Sequence, residues 1–285
     1  MILVIGAGAI WREFYQPILG RLGLDYLTID PVTNADFSSV CQVKRREFSL
    51  VLILSPPAFH SSNIADLIEL GFEFSSLIIE KPMVQTVAEF EIIDTLASKS
   101  VATVTPWRLS FAATILRSFL AMHEKRVEEL HIVYGELYRW PLTQLGTDNT
   151  CFKDLGPHFF DMATYILNSQ SVLASEISAG TNSFFLTSAT ENCSRVTLTV
   201  SREYHRPSFV TMLDGDGDRT TVSLAPGTDS LFTESKVVSD FIKSFSLPEP
   251  IEVDSLFESF YETLEHNELF SSYQEFRPFL ELQDF

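Results

Sequence analysis

The sequence predicts an α/β domain with a doubly wound parallel sheet, followed by an α+β domain with a mainly antiparallel sheet. Over the first hundred residues, short apolar runs alternate with amphipathic stretches, whereas strand patterns follow one another directly in the second half. Strands that are apolar throughout are typical of parallel sheets covered on both faces, and successive strands without helices are typical of antiparallel sheets. The pattern changes near residue 105, so we divide the chain into domains 1–106 and 107–285.

Five apolar runs predict the strands of the first domain, and the helical pattern at Ser62–Leu70 predicts a helix between the third and the fourth. Right-handed crossovers between such strands give a doubly wound fold. The strands are predicted at Ile2–Ile5, Tyr26–Ile29, Leu50–Leu54, Leu77–Ile79 and Val101–Val104.

The second domain is predicted to alternate helices and strands before three strands arrive in succession. The turn-rich link Asp214–Asp218 predicts a hairpin between the last two strands. A calcium loop is disfavoured, because the link lacks the distal Glu of such loops. The elements are expected at Phe111–Glu124 (helix), Glu128–Trp140 (strand), Phe159–Leu167 (helix), Arg195–Val200, Ser208–Leu213 and Thr220–Leu224 (strands), with a closing helix through Phe257, Tyr261 and Leu264.

The composition of the 285-residue chain, 45% hydrophobic and 20% charged, is that of a globular protein. A formal net charge of -18 argues against nucleic-acid or membrane partners, because binding their phosphates requires clustered Lys and Arg. We see no secretion signal and no apolar run of the roughly 20 residues that span a bilayer. Cys41, Cys151 and Cys193 are widely spaced, so we expect reduced thiols, a cytoplasmic location and no bound metal.

A glycine-rich turn, Gly6-Ala7-Gly8-Ala9-Ile10-Trp11, follows the first strand and predicts a dinucleotide site of the Rossmann type. The first glycine permits a tight turn, the second lets a pyrophosphate approach the backbone, and the helix N-terminus supplies N–H groups. Trp11 replaces the usual third Gly or Ala, so its side chain must point elsewhere or push the helix away.

Asp30 ends the second strand, where an acidic residue is expected to accept the ribose hydroxyls. A carboxylate there repels a 2′-phosphate, so NAD(H) is favoured and NADP(H) is left as an alternative. Asp30-Pro31 could instead only start a turn. The cofactor-binding residues predicted by this motif are Gly6, Gly8, Ala9, Ile10 and Asp30.

Three further motifs complete a family resemblance. Ser55-Pro56-Pro57-Ala58-Phe59-His60 follows the third strand, and Glu80-Lys81-Pro82 follows the fourth. Asp154-Leu155-Gly156-Pro157-His158-Phe159-Phe160-Asp161 opens a helix of the second domain. With the glycine turn, these motifs resemble the Gfo/Idh/MocA family (glucose–fructose oxidoreductase/inositol dehydrogenase) over essentially the whole chain. The resemblance implies a Rossmann domain and an open, mainly antiparallel sheet that forms oligomer contacts, hence a homo-oligomer, either dimer or tetramer.

The resemblance also implies hydride transfer between NAD(P)(H) and a carbon of a sugar, cyclitol or related polyhydroxylated small molecule. By motif position, Lys81, Asp154 and His158 are the implied catalytic residues, and Pro82 matches a proline whose peptide bond is often cis. A histidine titrates near neutral pH and suits acid/base catalysis, and a lysine can stabilise a developing alkoxide. Asp154 could orient the imidazole, or it could be only an N-cap.

The motif positions imply further contacts, with open alternatives. For His60, the alternative is packing behind the two prolines. Trp107 and Arg108 are predicted differently, because they follow the fifth strand at the domain junction, where ligands bind in such folds. Arg108 could hold an acidic or phosphorylated substrate, and a structural ion pair is at least as plausible. The implied cofactor contacts are Ser55, Pro56, His60, Glu80 and Lys81, and the implied substrate contacts are Lys81, Trp107, Arg108, Asp154 and His158.

Two other functions stay open. Relatives of this fold reduce imines or conjugated double bonds, as thiazolinyl imine and biliverdin reductases do, and the 24 phenylalanines would suit a flat apolar substrate. Alternatively, the chain is a non-catalytic dinucleotide sensor or partner protein, in which Trp11 marks the loss of cofactor binding.

Overall fold

The computed structural model describes residues 1–96, 98–103, 106–123, 125–135, 150–169, 174–203, 208–224, 231–233 and 271–272. The chain divides into two compact units, and the division falls between residues 104 and 105. Each unit is built on one sheet. Within the described ranges, no helix combines the length and the apolarity that crossing a membrane requires.

The first unit contains the five predicted parallel strands, in the order β2-β1-β3-β4-β5. Strands β3 and β4 start a few residues earlier than predicted, because polar and buried residues alternate at their starts where only one face is covered. The helices α1 (Gln16–Arg21), α2 (His60–Glu69) and α3 (Phe90–Asp94) connect them. The strands are β1 (Ile2–Ile5), β2 (Tyr26–Ile29), β3 (Glu47–Ile53), β4 (Glu73–Ile79) and β5 (Ser100–Thr103).

A single residue, Phe37, extends this sheet beyond β2. It forms an isolated parallel bridge with Ile29, and its N–H and carbonyl bond to Thr28 and Asp30 at 3.1 and 3.0 Å. Phe37 therefore stands where the third strand lies in the order 3-2-1-4-5 of dinucleotide-binding sheets. One bridge carries too little apolar pattern to be predicted from the sequence.

The opposite edge of the first sheet is paired with a strand from the end of the chain. Ser271–Ser272 (β13) runs antiparallel to β5, opposite Thr103 and Ala102. This pairing satisfies backbone groups that an edge strand leaves open. The predicted division of the chain at residue 106 placed this segment in the second domain, whereas it belongs to the first unit.

The second unit is a seven-stranded sheet, in the order β12-β11-β10-β6-β9-β8-β7. All neighbours are antiparallel except β6 and β9, so the predicted mainly antiparallel sheet is confirmed. Helices α4 (Phe111–His123) and α5 (Cys151–Leu167) pack together, and α5 lies against β6, β8 and β9. The strands are β6 (Val127–Gly135), β7 (Ala174–Ala179), β8 (Ser183–Thr190), β9 (Cys193–Ser201), β10 (Phe209–Asp214), β11 (Arg219–Ser223) and β12 (Leu231–Thr233).

The link Asp214–Asp218 forms the predicted hairpin between β10 and β11. The Asp214 carboxylate accepts hydrogen bonds from the N–H groups of Asp216 and Asp218, at 3.0 and 2.9 Å. Gly217 takes a φ of 87°, which a side chain would disfavour. The acidic residues therefore stabilise their own turn.

Helix α5 begins eight residues before the predicted start at Phe159. Thr150 is its N-cap, and the Thr150 hydroxyl accepts the Lys153 N–H at 3.3 Å. The alternative in which Asp154 caps this helix is therefore wrong. The predicted end of the strand at Trp140 and the closing helix through Phe257, Tyr261 and Leu264 lie outside the described residues.

Candidate active site

The glycine turn of the first unit is tightly packed at Gly6 and open at Gly8. Gly6 has a φ of 101°, and a Cβ atom there would lie 2.4 Å from the backbone nitrogen of Ser55. Its N–H donates to the Ile29 carbonyl at 2.8 Å, so the turn is fixed between two strand ends. A Cβ at Gly8, in contrast, would meet no atom within 4 Å. The first glycine is thus needed for packing, and the second leaves open space at a helix start, as phosphate binding requires.

The helix after this turn contains a π-helical segment, Trp11–Tyr15, which runs directly into α1. The Gln16 N–H reaches back five residues to the Trp11 carbonyl. Pro17 follows, which has no N–H to donate and whose ring crowds the preceding turn. The wider π turn accommodates this proline, and such turns are frequent at functional sites.

Trp11 points away from the space in front of Gly8. Its side chain is buried, and its ring packs edge-on against Tyr26 of β2, with 4.8 Å between the ring centroids. We expected the Trp11 side chain either to point away from the turn or to push the helix away, and it points away. Trp11 therefore gives no reason to expect a loss of cofactor binding.

Asp30 serves the glycine turn and its own turn at once. Its Oδ2 accepts the Ala7 N–H at 2.9 Å, and its Oδ1 accepts the N–H groups of Val32 and Thr33 at 2.8 and 2.9 Å. Each carboxylate oxygen can accept about two hydrogen bonds, so capacity for a ribose hydroxyl is left on the partly exposed side chain. Asp30 does start a turn, as the alternative predicted, and its carboxylate can still accept a ribose hydroxyl.

His60 is a buried connection between two loops. Its Nε2 lies 2.7 Å from the Ser55 carbonyl, and its Nδ1 lies 3.1 and 3.0 Å from the carbonyls of Pro82 and Met83. Burial lowers the pKa of the imidazole, which has no exposed surface. His60 therefore packs in the interior, as the alternative predicted. It would affect a bound cofactor only indirectly, through Ser55 and the Lys81–Pro82 segment.

The Glu80-Lys81-Pro82 segment follows β4, and the peptide bond between Lys81 and Pro82 is cis, as the resemblance implies. The Glu80 carboxylate accepts the Tyr15 hydroxyl at 2.7 Å and the Lys81 N–H at 3.2 Å. Desolvation raises the pKa of Glu80, and the hydrogen bond from Tyr15 opposes this effect. Tyr15 was not found by sequence reasoning, because its partner lies 65 residues away.

In the second unit, α5 holds Asp154 and His158 one turn apart in a buried environment. Asp154 Oδ2 lies 3.5 Å from Nη1 of Arg202, and both side chains are almost wholly buried. The nearby Cys151 thiol has its pKa raised to about 11 by burial, although Arg202 lowers it in part. Arg202 is a further residue that the sequence did not reveal, since only the fold brings the end of β9 to α5.

Arg108 and Trp107 are structural residues of the second unit. The guanidinium of Arg108 donates to both carboxylate oxygens of Asp161, so the ion-pair alternative is correct and the predicted substrate contact is not supported. The Trp107 ring packs on Tyr134 and Phe159, with centroid distances of 5.3 and 5.4 Å. In the part of the chain that the structure describes, no group of three or more His, Cys, Asp or Glu side chains could hold a metal ion.

Residues 27–106 match the family model GFO_IDH_MocA, described as an oxidoreductase family with an NAD-binding Rossmann fold. No curated protein matches the sequence. The match confirms the predicted resemblance for residues 27–106, which include Asp30 and the segments Ser55–His60 and Glu80-Lys81-Pro82. The glycine turn and the Asp154–Asp161 segment lie outside the matched residues.

Solved structures of dehydrogenases share the fold of the whole chain. Myo-inositol dehydrogenase from Corynebacterium glutamicum is 17% identical, with a TM-score of 0.72, and the match covers 99% of this chain and 94% of that one. The WlbA dehydrogenase from Chromobacterium violaceum, in complex with NADH and UDP-GlcNAcA, is 13% identical, with a TM-score of 0.74 and coverages of 99% and 91%. A putative myo-inositol dehydrogenase from Sinorhizobium meliloti is 15% identical, with a TM-score of 0.72 and coverages of 99% and 94%. These likenesses confirm the predicted fold class.

Proposed function

We propose that this chain is an NAD(H)-dependent oxidoreductase that transfers a hydride to or from a carbon of a sugar, cyclitol or related polyhydroxylated small molecule. The observation that carries the proposal is the glycine turn, in which Gly6 is locked against Ser55 while the space in front of Gly8 stays open. The match of residues 27–106 to an NAD-binding oxidoreductase family supports the same chemistry.

The residues of the first unit would hold the cofactor from its phosphates to its nicotinamide. Backbone N–H groups at Gly8, Ala9 and Ile10 would meet the pyrophosphate, and Asp30 would accept a ribose hydroxyl. Ser55, Pro56 and the Glu80-Lys81 pair would line the nicotinamide end. When bound, the nicotinamide supplies or accepts the hydride. The carboxylate of Asp30 would repel a 2′-phosphate, so NAD(H) is preferred over NADP(H).

Lys81 and His158 would handle the substrate oxygen and its proton. As a hydride leaves the carbon of a secondary alcohol, the hydroxyl proton must pass to a base, and His158 would take it. The Lys81 ammonium would stabilise the negative charge that develops on the oxygen. Asp154, held by its ion pair with Arg202, would bind a neighbouring hydroxyl or orient the imidazole.

We propose a cytoplasmic homo-oligomer, dimer or tetramer, formed through the open face of the second sheet. On β8, Phe184 is buried and packs on Phe152 of α5, whereas its neighbour Phe185 points to the other face and is 43% exposed. An aromatic ring that is nearly half exposed on a sheet face suits a subunit contact. All three cysteines are unpaired by disulfides, as is usual in the cytoplasm. Sedimentation analysis would test the assembly, and a purely monomeric protein would contradict it.

Calorimetric titration with NADH and NADPH tests the cofactor proposal. Gly8→Trp fills the open space, and Gly20→Trp is its matched control, because a Cβ at either glycine meets nothing within 4 Å. We expect wild type and Gly20→Trp to bind NADH, and Gly8→Trp to lose binding. Absence of binding of either nucleotide by the wild type would overturn the proposal. Binding would justify a substrate screen of sugars and cyclitols, with Lys81→Ala as the inactive control.

A further inference from the structure

Two hydrogen bonds to the Glu80 carboxylate link Tyr15 to Lys81. The Tyr15 side chain is wholly buried, and its hydroxyl donates to Oε1 of Glu80 at 2.7 Å. Oε2 of the same carboxylate accepts the Lys81 N–H at 3.2 Å. A residue of the first helix thus fixes the carboxylate that fixes the main chain of Lys81.

The other side of Lys81 is fixed by His60. The imidazole contacts the carbonyls of Pro82 and Met83 on one side and that of Ser55 on the other. The backbone is therefore held by hydrogen bonds on both sides of Lys81. A side chain that must contact one substrate atom needs such a fixed backbone. Of the two anchors, the Tyr15 hydroxyl is the one that a substitution can remove without changing the shape of the buried ring.

The π-helical turn gives Tyr15 its place. Trp11 and Tyr15, the first and last residues of this segment, are both buried, yet they face different strands. Trp11 packs on Tyr26 of β2, whereas Tyr15 reaches the end of β4. The same helical turn that accommodates a tryptophan at the third glycine position therefore also delivers a hydroxyl to Glu80.

We propose that Tyr15 is a positioning residue of the active site, which holds the Glu80 carboxylate so that Lys81 meets the nicotinamide end of the bound cofactor in one orientation. This inference rests on the proposed function. The carboxylate is partly buried, and a hydrogen bond to an ionised acceptor stabilises it more than one between neutral groups. Tyr15 and Lys81 are the groups that favour the ionised form of Glu80, and burial opposes it.

Tyr15→Phe removes the hydroxyl and keeps the ring, and Tyr26→Phe is the matched control in the same unit. Two measurements apply: the Glu80 titration, followed by carbon NMR of the carboxyl group without nucleotide, and the affinity for NADH as a function of pH. In Tyr15→Phe we expect Glu80 to release its proton about tenfold less readily. NADH affinity should fall by up to about tenfold at pH values where Glu80 is protonated in the variant, and it should recover as the pH rises and Glu80 ionises again. Tyr26→Phe should behave like the wild type in both measurements.

Glu80→Gln is the second variant, because it removes the titrating group. Adding Tyr15→Phe to it should no longer move the pH midpoint of NADH binding. A Glu80 titration that is the same in Tyr15→Phe and wild type would overturn the inference, as would an affinity loss that is equal at every pH. Wild-type protein that binds neither nucleotide would overturn the proposed function, and this inference with it, whatever the NMR titration shows.

Discussion

Arg108 grips both carboxylate oxygens of Asp161, with nitrogen–oxygen distances of 2.8 and 2.5 Å, in the interior of the second unit. Both side chains are less than 5% exposed. The pair joins the short helical segment Pro106–Leu109 to the middle of α5, the helix that also carries Asp154 and His158. A buried guanidinium that donates two hydrogen bonds to one carboxylate holds structure in place rather than a ligand.

Removing one member of this buried pair should be costly. We expect Arg108→Met to destabilise the protein by about 3–5 kcal/mol, because Asp161 would keep a buried charge without its counter-ion. The double variant Arg108→Met/Asp161→Leu should recover much of this loss. Urea unfolding of the three proteins measures both effects, and a double variant no more stable than Arg108→Met would contradict the expectation.

Substitution by alanine should affect stability strongly at Gly6 and little at Gly8, the two glycines of the turn. Gly6→Ala should destabilise the protein by about 3 kcal/mol or more, because its φ of 101° is strained for alanine and the Cβ would collide with Ser55. Gly8→Ala should be within about 1 kcal/mol of the wild type, since nothing opposes its Cβ. Thermal unfolding in the absence of nucleotide tests the contrast, and equal melting temperatures for the two variants would refute it.

Asp30 should affect stability and nucleotide choice separately. Asp30→Ala leaves the N–H groups of Ala7, Val32 and Thr33 without their acceptor, so we expect a loss of about 1–3 kcal/mol. Asp30→Asn keeps one acceptor oxygen and removes the charge. It should therefore keep more of the stability while narrowing the difference in affinity between NADH and NADPH. Calorimetry on both variants provides the measurement, and an unchanged affinity ratio in Asp30→Asn would show that the charge does not select the nucleotide.

The three cysteines should react with thiol reagents at very different rates. Cys41 is exposed, whereas Cys151 and Cys193 are buried, and burial raises the pKa of both buried thiols, to about 11 for Cys151. Because the thiolate is the reactive form, the folded protein at pH 8 should react rapidly at one thiol only. Cys41→Ser should abolish this rapid phase, and a rapid phase that survives this substitution would contradict the assignment.

The raised pKa of Cys151 also sets a direction for stability at alkaline pH. Between pH 9 and 11, the Cys151 thiol stays protonated in the folded protein, whereas in the unfolded protein, with a pKa near 9, it loses its proton. Stability should therefore fall as the pH rises from about 9 towards 11. Cys151→Ser should show a smaller fall in urea unfolding over this range, and an identical pH dependence would contradict the expectation.

The strands of the first unit could be predicted because each is a short run that is apolar on both faces, as in Leu50–Ile53. Strands β7 and β8 could not, because Ser and Thr occupy many of their positions and only the pairing makes them strands. The same holds for β13, whose two serines become a strand only beside β5. Local pattern predicts elements that are covered by the core, and it fails where long-range pairing decides.

The candidate site shows a similar division. Gly6, Gly8 and Asp30 were predicted from their positions at strand ends, and Lys81 was predicted from the family motif Glu80-Lys81-Pro82. Tyr15 and Arg202 could not be predicted, because each is defined by a partner far along the chain, Glu80 and Asp154 respectively. The sequence around Arg108 also could not show whether this arginine binds a ligand or forms an ion pair. The structure shows the ion pair, with Asp161.

The position of β6 in the second sheet has a consequence for how the chain folds. Both of its neighbours, β9 and β10, come later in the sequence, and Val127 pairs with Cys193, 66 residues further on. During synthesis, β6 therefore leaves the ribosome with both edges unpaired, while the later strands can first close local hairpins. Contacts so distant in sequence form slowly, and an apolar strand that waits for them is exposed to aggregation. The central strand of the second sheet thus stays open to aggregation until β9 and β10 have been synthesised.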